Sequence, residues 1–409
     1  MAVNLAAPDP TSLLPVAGVE LGCAHAGIRK GGRPDLMLMR LAPGSRVAGV
    51  FTQNAFAAAP VQVCRQHLAH TAAIRALVVN AGNANCGTGE AGLRAARRTC
   101  DAVARALGCR RIDVLPFSTG VILEHLPVDR IESALPECAA ALAPAHWAEA
   151  AGAIMTTDTV SKAASSSLEL GGVRVTVTGI AKGVGMLQPD MATMLAFVCT
   201  DAAVSPAVLQ RMVKEVADES FNRVTVDGDT STNDSFVLIA TGASAASEIV
   251  AAQDSGYAAL KQAVSQVAVT LAQSIARDGE GATKFITIKV DGADSTEEAV
   301  RVAKVVAHSP LVKTAFFASD PNLGRLIMAI GNSGITGLEP SRINLYLGDV
   351  KVIERGERAA TYREEDGARV MKPAEIGMRI ELGRGEASAT VWTCDFSYEY
   401  IKINAEYRT

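Results

Sequence analysis

The stretch of this 409-residue chain with the most chemistry in it reads Ala181-Lys-Gly-Val-Gly-Met-Leu-Gln-Pro-Asp-Met-Ala-Thr-Met-Leu-Ala196. Gly183, Gly185 and Pro189 prescribe an irregular loop, and Thr193 then opens an apolar run to Val198. A small residue followed by threonine, where a loop enters a strand, suits self-cleavage. With strain and an oxyanion site to assist, the Thr193 hydroxyl attacks the Ala192 carbonyl, and hydrolysis of the resulting ester leaves Thr193 as a new N-terminus. A hydroxyl is a weak nucleophile without a base beside it. A free α-amine, with a pKa of about 7.7–8.0, supplies that base at neutral pH. Composition alone favours the plainer reading, a threonine opening an ordinary strand.

Other patterns are weaker. Gly87, Gly89 and Gly92 spell G-x-G-x-x-G ahead of a helix, but Ala81 to Cys86 separate them from the preceding strand. A dinucleotide site needs the glycines directly after the strand, so that the helix N-terminus meets the pyrophosphate. Asp113, at the spacing of a ribose-binding acid, follows Arg110 and Arg111 without a clear strand end. A glycine-rich turn is the better reading, although the amides of Asn80-Ala-Gly-Asn-Ala-Asn-Cys86 could line a pocket. Gly331-Asn-Ser333-Gly334 breaks the G-x-S-x-G elbow after its serine, and P-loop, H-E-x-x-H and EF-hand patterns are absent. The eight cysteines contain no C-x-x-C pair and the six histidines are scattered, so no metal site is expected.

The elements that must carry this chemistry are legible. Val173, Val175 and Val177 alternate with Arg174, Thr176 and Thr178, and Ile286, Ile288 and Val290 alternate with Thr287 and Lys289, as strands do. Ala76 to Asn80 reads as a strand buried on both faces. Leu93, Ala96, Cys100, Val103 and Leu107 step as a helix that Gly108 stops. Ser205-Pro206 opens a helix with the stripe Leu209, Met212, Val213 and Val216, and Ser295 with Glu298 forms a capping box before Val300 to Ala307. Strands and helices interleave without a regular βαβ rhythm. The expected fold is therefore a mixed α/β layered sandwich, with central β-sheets and outer helices. No linker divides two folding units.

A 49% hydrophobic, 20% charged chain folds, and its 4% aromatics leave the core to Ala, Val, Leu and Ile. A formal charge of −4 gives no footprint for nucleic acid, and Arg94, Arg97 and Arg98 read as a solvated helix face. No apolar stretch reaches the ~20 residues of a membrane helix. A soluble cytoplasmic enzyme with reduced thiols is expected.

Lys182-Gly-Val-Gly-Met186 through Ala192-Thr-Met-Leu195 closely resembles the self-processing site of the ornithine acetyltransferase (glutamate N-acetyltransferase) family of arginine biosynthesis. Asn80-Ala-Gly-Asn-Ala-Asn85, Ser118-Thr-Gly120, Met155-Thr-Thr-Asp158, Asp278-Gly-Glu280, Asp320-Pro-Asn322 and Ile403-Asn-Ala-Glu-Tyr-Arg-Thr409 follow in family order, so the likeness spans nearly the whole chain. Leu323, where the family often has Trp, and Pro116-Phe117 ahead of Ser118 depart from the pattern without touching the reaction class.

The resemblance implies cleavage at Ala192–Thr193 into intertwined fragments 1–192 and 193–409, assembled as α2β2. Thr193 would take the acetyl group of N2-acetylornithine as an ester and pass it to glutamate. Thr119, by its hydroxyl, and Gly120, by its backbone N–H, match the family's oxyanion hole, where one donor is commonly worth about 2.7–4 kcal/mol of barrier. Lys182 and Glu280 supply the charges an amino acid needs, and Thr156, Asn404 and Thr409 match further substrate contacts. Binding at a chain end requires Phe396 to Ile403 to dock, which its aromatic and β-branched content should permit. No resident cofactor is implied, and no motif separates members that also use acetyl-coenzyme A from those that do not. The rivals are a self-cleaving aminopeptidase or amidase, in which water accepts the acyl group, and a non-catalytic binding protein.

Overall fold

A computed structural model describes residues 2–29, 31–71, 73–186 and 194–406. The first half of the chain runs β1 (Val19–Ala24), β2 (Leu36–Leu41), β3 (Arg46–Phe51), α1 (Ala59–His70), β4 (Ala76–Asn83), α2 (Gly89–Leu107), β5 (Val114–Val121), α3 (Val128–Ala140), α4 (Trp147–Ala153), β6 (Lys162–Leu170) and β7 (Val173–Lys182). It continues with β8 (Leu195–Thr200), α5 (Pro206–Glu219), β9 (Ser235–Ala240), α6 (Ser255–Arg277), β10 (Phe285–Ala293), α7 (Thr296–His308), α8 (Pro310–Phe317) and α9 (Leu323–Gly331). The last elements are β11 (Asn344–Leu347), β12 (Val350–Glu354), β13 (Glu357–Arg358), α10 (Glu364–Met371), β14 (Glu375–Glu381), β15 (Ala387–Cys394) and α11 (Tyr398–Ala405).

Two sheets, in the orders β1-β2-β4-β5 and β3-β9-β8-β7-β6, pack face to face. Leu21, Met39, Val79 and Phe117 from one meet Ile180, Leu195, Phe197 and Ile239 from the other, and Phe117 stands edge-on to Phe197 at 5.0 Å. The outer face of the first sheet is covered by α2 and α3 through Val103, Ile131 and Leu135. That of the second is covered by α5 and α6 through Met212, Val216, Leu260, Val264 and Leu271. Helix, sheet, sheet, helix is the layered sandwich expected, with aliphatic side chains filling each gap.

The third sheet, β13-β12-β11-β14-β10-β15, has its own core with α7, α8 and α9. This second lobe had no signature in the sequence, because no linker precedes it. α6 runs almost directly into β10, and Phe285, Trp392 and Cys394 at the lobe's base pack into the core of the sandwich. Along β10, Ile286, Ile288 and Val290 are buried and Lys289 exposed, as their alternation requires.

Helix ends follow the sequence, with two corrections. α2 stops at Gly108, whose φ of +65° is the left-handed cap only glycine takes cheaply. Ser205 caps α5 by position alone, since its hydroxyl donates to the Val250 carbonyl at 3.5 Å. Ser295 accepts from the Glu298 N–H, but the Glu298 carboxylate pairs with Arg384, so the capping box is half made. The end of the chain also differs from expectation: α11 buries no residue, with Tyr398 80% and Ile401 67% exposed. Polar clamps dock it instead. Asp395 accepts from the Thr283 and Lys284 amides at 2.8 and 2.9 Å, and the Ser397 hydroxyl donates to the Gly281 carbonyl. Phe396 stacks on Tyr400 at 4.5 Å.

Candidate active site

The carboxyl end of β5 carries Ser118-Thr119-Gly120, paired in parallel with Asn80-Ala81-Gly82 of β4. Gly120 has a φ of +134°, and a Cβ there would lie 2.2 Å from the Gly82 carbonyl carbon, so no other residue fits. The asparagines of the neighbouring loop hold this turn together and do not line the pocket. Asn80 accepts from the Ser118 hydroxyl at 2.6 Å and donates to the Asn83 carbonyl at 2.9 Å. Asn83 accepts from the Asn85 amide at 2.8 Å, and Asn85 donates to the Gly92 carbonyl at 3.1 Å. Asn233 adds a tie from the other sheet, donating to the carbonyls of Ala84 at 2.7 Å and Ser118 at 2.8 Å. Asp113 lies away from the cavity, in an ion pair with Arg110.

Lys182 ends β7 inside the sandwich and is only 5% exposed. Its ammonium donates to Thr119 Oγ1 at 3.2 Å. Burial pulls its pKa down, Asp158 opposes that pull, and Asp234 and Glu280 also favour the charge. Below it lies a fully buried knot. Lys162 donates to Asp158 at 2.8 Å, Asp278 at 2.7 Å and the Val160 carbonyl at 3.0 Å. Asp158 also accepts from the amides of Gly183 at 2.8 Å and Thr156 at 3.0 Å, while Asp278 accepts from those of Thr159 and Val160 and from the Thr159 hydroxyl. Burial works against the Asp158 charge, but Lys162, Lys182 and the Gly183 amide hold its carboxyl well below the usual range. This knot fixes Thr156, Lys182 and the loop of Glu280 relative to one another.

Glu280 is 8% exposed, and its carboxylate accepts from the Thr157 hydroxyl and from Asn404 Nδ2, both at 2.9 Å. It lies so near the chain that a Cβ on Gly185 would be 2.5 Å from Oε2. Thr119, Gly120, Thr156, Lys182, Glu280 and Asn404, which are far apart in sequence, all line one cavity. Val184, Gly185 and Met186 approach it from one side, and Ser231, Thr232 and Asn233 close another. Ala192, Thr193 and Thr409 lie outside the described residues. Among the described residues no cluster could hold a metal ion, and no helix is long and apolar enough to cross a membrane.

Several residues escaped the sequence reading. Thr157, Asp158 and Asp278 lay inside motifs but were given no role, while Lys162 and Ser231 to Asp234 were not singled out. A dense polar run, Asp227-Gly-Asp-Thr-Ser-Thr-Asn-Asp234, just before an apolar strand was the available signal.

The sequence model of the ArgJ family matches residues 20–409. Among solved structures, the arginine biosynthesis bifunctional protein argJ of Bacillus halodurans is 38% identical over 51% of this chain and 97% of its own, with a TM-score of 0.49. The ornithine acetyltransferase of Mycobacterium tuberculosis, solved in complex with ornithine, is 34% identical over 44% of this chain and 94% of its own, with a TM-score of 0.38. The L-aminopeptidase D-Ala-esterase/amidase of Ochrobactrum anthropi is similar at 11% identity, over 68% of this chain and 89% of that one, with a TM-score of 0.40. With a match that runs from β1 to the last residue, the chain belongs to the ArgJ family.

Proposed function

We propose that the protein is an acetyltransferase of arginine biosynthesis that moves the acetyl group of N2-acetylornithine to glutamate through an ester on Thr193, after cutting itself between Ala192 and Thr193. One observation carries this reading: two oxyanion donors, a buried lysine and a buried carboxylate converge on one cavity. The names of the argJ protein and the ornithine acetyltransferase among its solved relatives agree with it.

The chemistry follows from the donors. Lys182 gives a proton of its ammonium to Thr119 Oγ1 as a hydrogen bond, so the Thr119 hydrogen is free to point into the cavity. There it meets the oxyanion together with the Gly120 N–H. The Thr193 amine takes the proton of its own hydroxyl as that oxygen adds to the acetyl carbon. Collapse of the tetrahedral adduct expels ornithine, whose nitrogen receives that proton. Glutamate then attacks the ester with its neutral amine and leaves as N-acetylglutamate. Lys182 answers the carboxylate both amino acids share, Glu280 the ammonium end of acetylornithine, and Thr156 and Asn404 line the pocket, with Thr409 a further substrate contact on this reading. No resident cofactor enters the scheme. The fragments 1–192 and 193–409 would remain together because β7 and β8, which they contribute separately, pair along six residues of one sheet. An α2β2 assembly of those fragments is part of the same reading.

The test is ornithine release from acetylornithine with and without glutamate. Release that depends on glutamate, with N-acetylglutamate formed in equal amount, is expected. Release indifferent to glutamate identifies a hydrolase and rejects the transferase.

A further inference from the structure

Thr119 and Gly120 are bracketed by two carbonyls that one side chain holds. Ser118 supplies the peptide carbonyl just before Thr119. Ala84 lies beside the residue after Gly120, donating its N–H to the Val121 carbonyl at 2.9 Å. Asn233 Nδ2 donates to both, to the Ser118 carbonyl at 2.8 Å and the Ala84 carbonyl at 2.7 Å, so both amide hydrogens are spent. Its Oδ1 accepts from the Thr232 hydroxyl at 2.7 Å. That fixes which way the amide faces, because the flipped form would set Oδ1 against two carbonyl oxygens. The backbone of Asn233 is anchored as well, its N–H on Ser231 Oγ and its carbonyl under the Ser235 hydroxyl, both at 3.1 Å.

These bonds cross from one sheet to the other. Asn233 leads into β9, whereas Ser118 belongs to β5. In the gap between the sheets Phe117, Phe197 and Ile239 pack without direction, which sets a spacing but not the aim of a peptide group. Hydrogen bonds of 2.7–2.8 Å do set that aim. The Ser118 carbonyl shares a peptide plane with the Thr119 N–H, so holding its oxygen fixes where the Thr119 side chain departs. Gly120, at a φ of +134°, has no side chain of its own to hold its N–H in place. Lys182, from the same sheet as Asn233, grips the Thr119 hydroxyl at 3.2 Å. One sheet thus holds both the side chain and the main chain of the turn on the other.

We infer that Asn233 is a positioning residue for acyl transfer, which aims the Thr119 and Gly120 donors at the developing oxyanion by holding the two carbonyls that flank them. With both hydrogens spent on those carbonyls, its amide has none left to give a substrate. The inference rests on the reading of Thr119 and Gly120 as the oxyanion hole. Donors aimed at an oxyanion act in the transition state more than in the bound substrate, so misaiming them slows the step without weakening binding. A misplacement of about 1 Å is enough to cost about 100-fold.

The experiment follows the first half-reaction, acetylation of the protein by N2-acetylornithine without glutamate, for wild type, Asn233→Ala, Thr232→Val and the double variant. Rapid quench with intact mass reads the saturated rate, the half-saturating concentration and the fraction of molecules finally acetylated. Asn233→Ala should slow the saturated rate about 100-fold, move half-saturation less than about twofold, and leave the acetylated fraction unchanged. Thr232→Val keeps the Asn233 donors and removes only the hydroxyl that orients them, so a loss of about tenfold is expected, the scale of one hydrogen bond. Because Thr232 acts through Asn233, the double variant should be no slower than Asn233→Ala alone. Wild-type rates in both single variants overturn the proposal. So does a loss that lies in half-saturation, which makes Asn233 a substrate contact, or a smaller acetylated fraction formed at the wild-type rate, which leaves it a purely structural part. Should Asn233→Ala fail to fold, the same three readings on Thr232→Val decide. A wild-type protein that takes up no acetyl group fails the underlying reading instead and takes this proposal with it.

Discussion

Two buried lysines, Lys162 and Lys182, sit at the same end of the antiparallel β6–β7 pair with opposite fates. Lys162 spends all three ammonium donors on Asp158, Asp278 and the Val160 carbonyl, within 3.0 Å. Among the described residues Lys182 has one partner, the Thr119 hydroxyl at 3.2 Å. Among those residues, one of its three protons is spent. A saturated ion belongs to the scaffold, whereas an under-coordinated one beside a cavity is a ligand site. On the proposed reading, stability falls to the first lysine and activity to the second.

The contrast breaks first at Lys162. Lys162→Met leaves Asp158 and Asp278 as uncompensated buried charges, which costs about 3–5 kcal/mol. The urea midpoint should fall sharply, and activity should fall with it. An unchanged midpoint would remove Lys162 from the scaffold. Acid should weaken the same knot. Because the Asp158 carboxyl is held below its usual pKa of about 3.9, its contribution is complete above that value and drains away as pH drops toward the depressed one.

Lys182→Met should leave the urea midpoint nearly unmoved, since it removes a charge that folding buried with little compensation. Acetyl transfer should drop about 10²–10³-fold, equivalent to losing one oxyanion donor, because Thr119 loses the bond that orients its hydrogen. In the wild type, burial lowers the Lys182 pKa, so substrate affinity should decay as pH rises through a value below the ordinary ~10.4. Measuring KM for acetylornithine against pH checks the sign. An affinity that improves with pH would contradict a cationic role.

Gly185→Ala offers the finest discrimination. Its Cβ would meet the Glu280 carboxylate at 2.5 Å and push it from Thr157 and Asn404. A rise of about tenfold in KM is expected, corresponding to ~1.4 kcal/mol, with a smaller change in kcat. A change in kcat alone would place Glu280 outside substrate binding.

These residues differ in how they could be read from sequence. Thr119, Gly120, Thr156, Lys182, Glu280 and Asn404 were found because short motifs mark them, and the fold brings all of them to one cavity. Lys162, Asp158 and Asp278 were passed over because a charged residue ordinarily predicts surface, and Lys162 and Asp278 meet across 116 positions of chain. Periodicity revealed β10 and α2, whose apolar faces point at one core each. It could not reveal the second lobe, since a boundary shows only where composition changes, and Phe285 and Trp392 carry the sandwich's core across it. Tyr398 and Ile401 misled for a related reason: apolar side chains promised burial, while α11 is held by Asp395, Ser397 and Asn404.

The most direct test of the whole account is the composition of active protein. Mass and N-terminal sequence should show two polypeptides, the second beginning Thr-Met-Leu-Ala, and incubation with N2-acetylornithine without glutamate should add one acetyl group to that second polypeptide. Active material consisting of a single uncut chain, or an acetyl group carried on the first polypeptide, would contradict it.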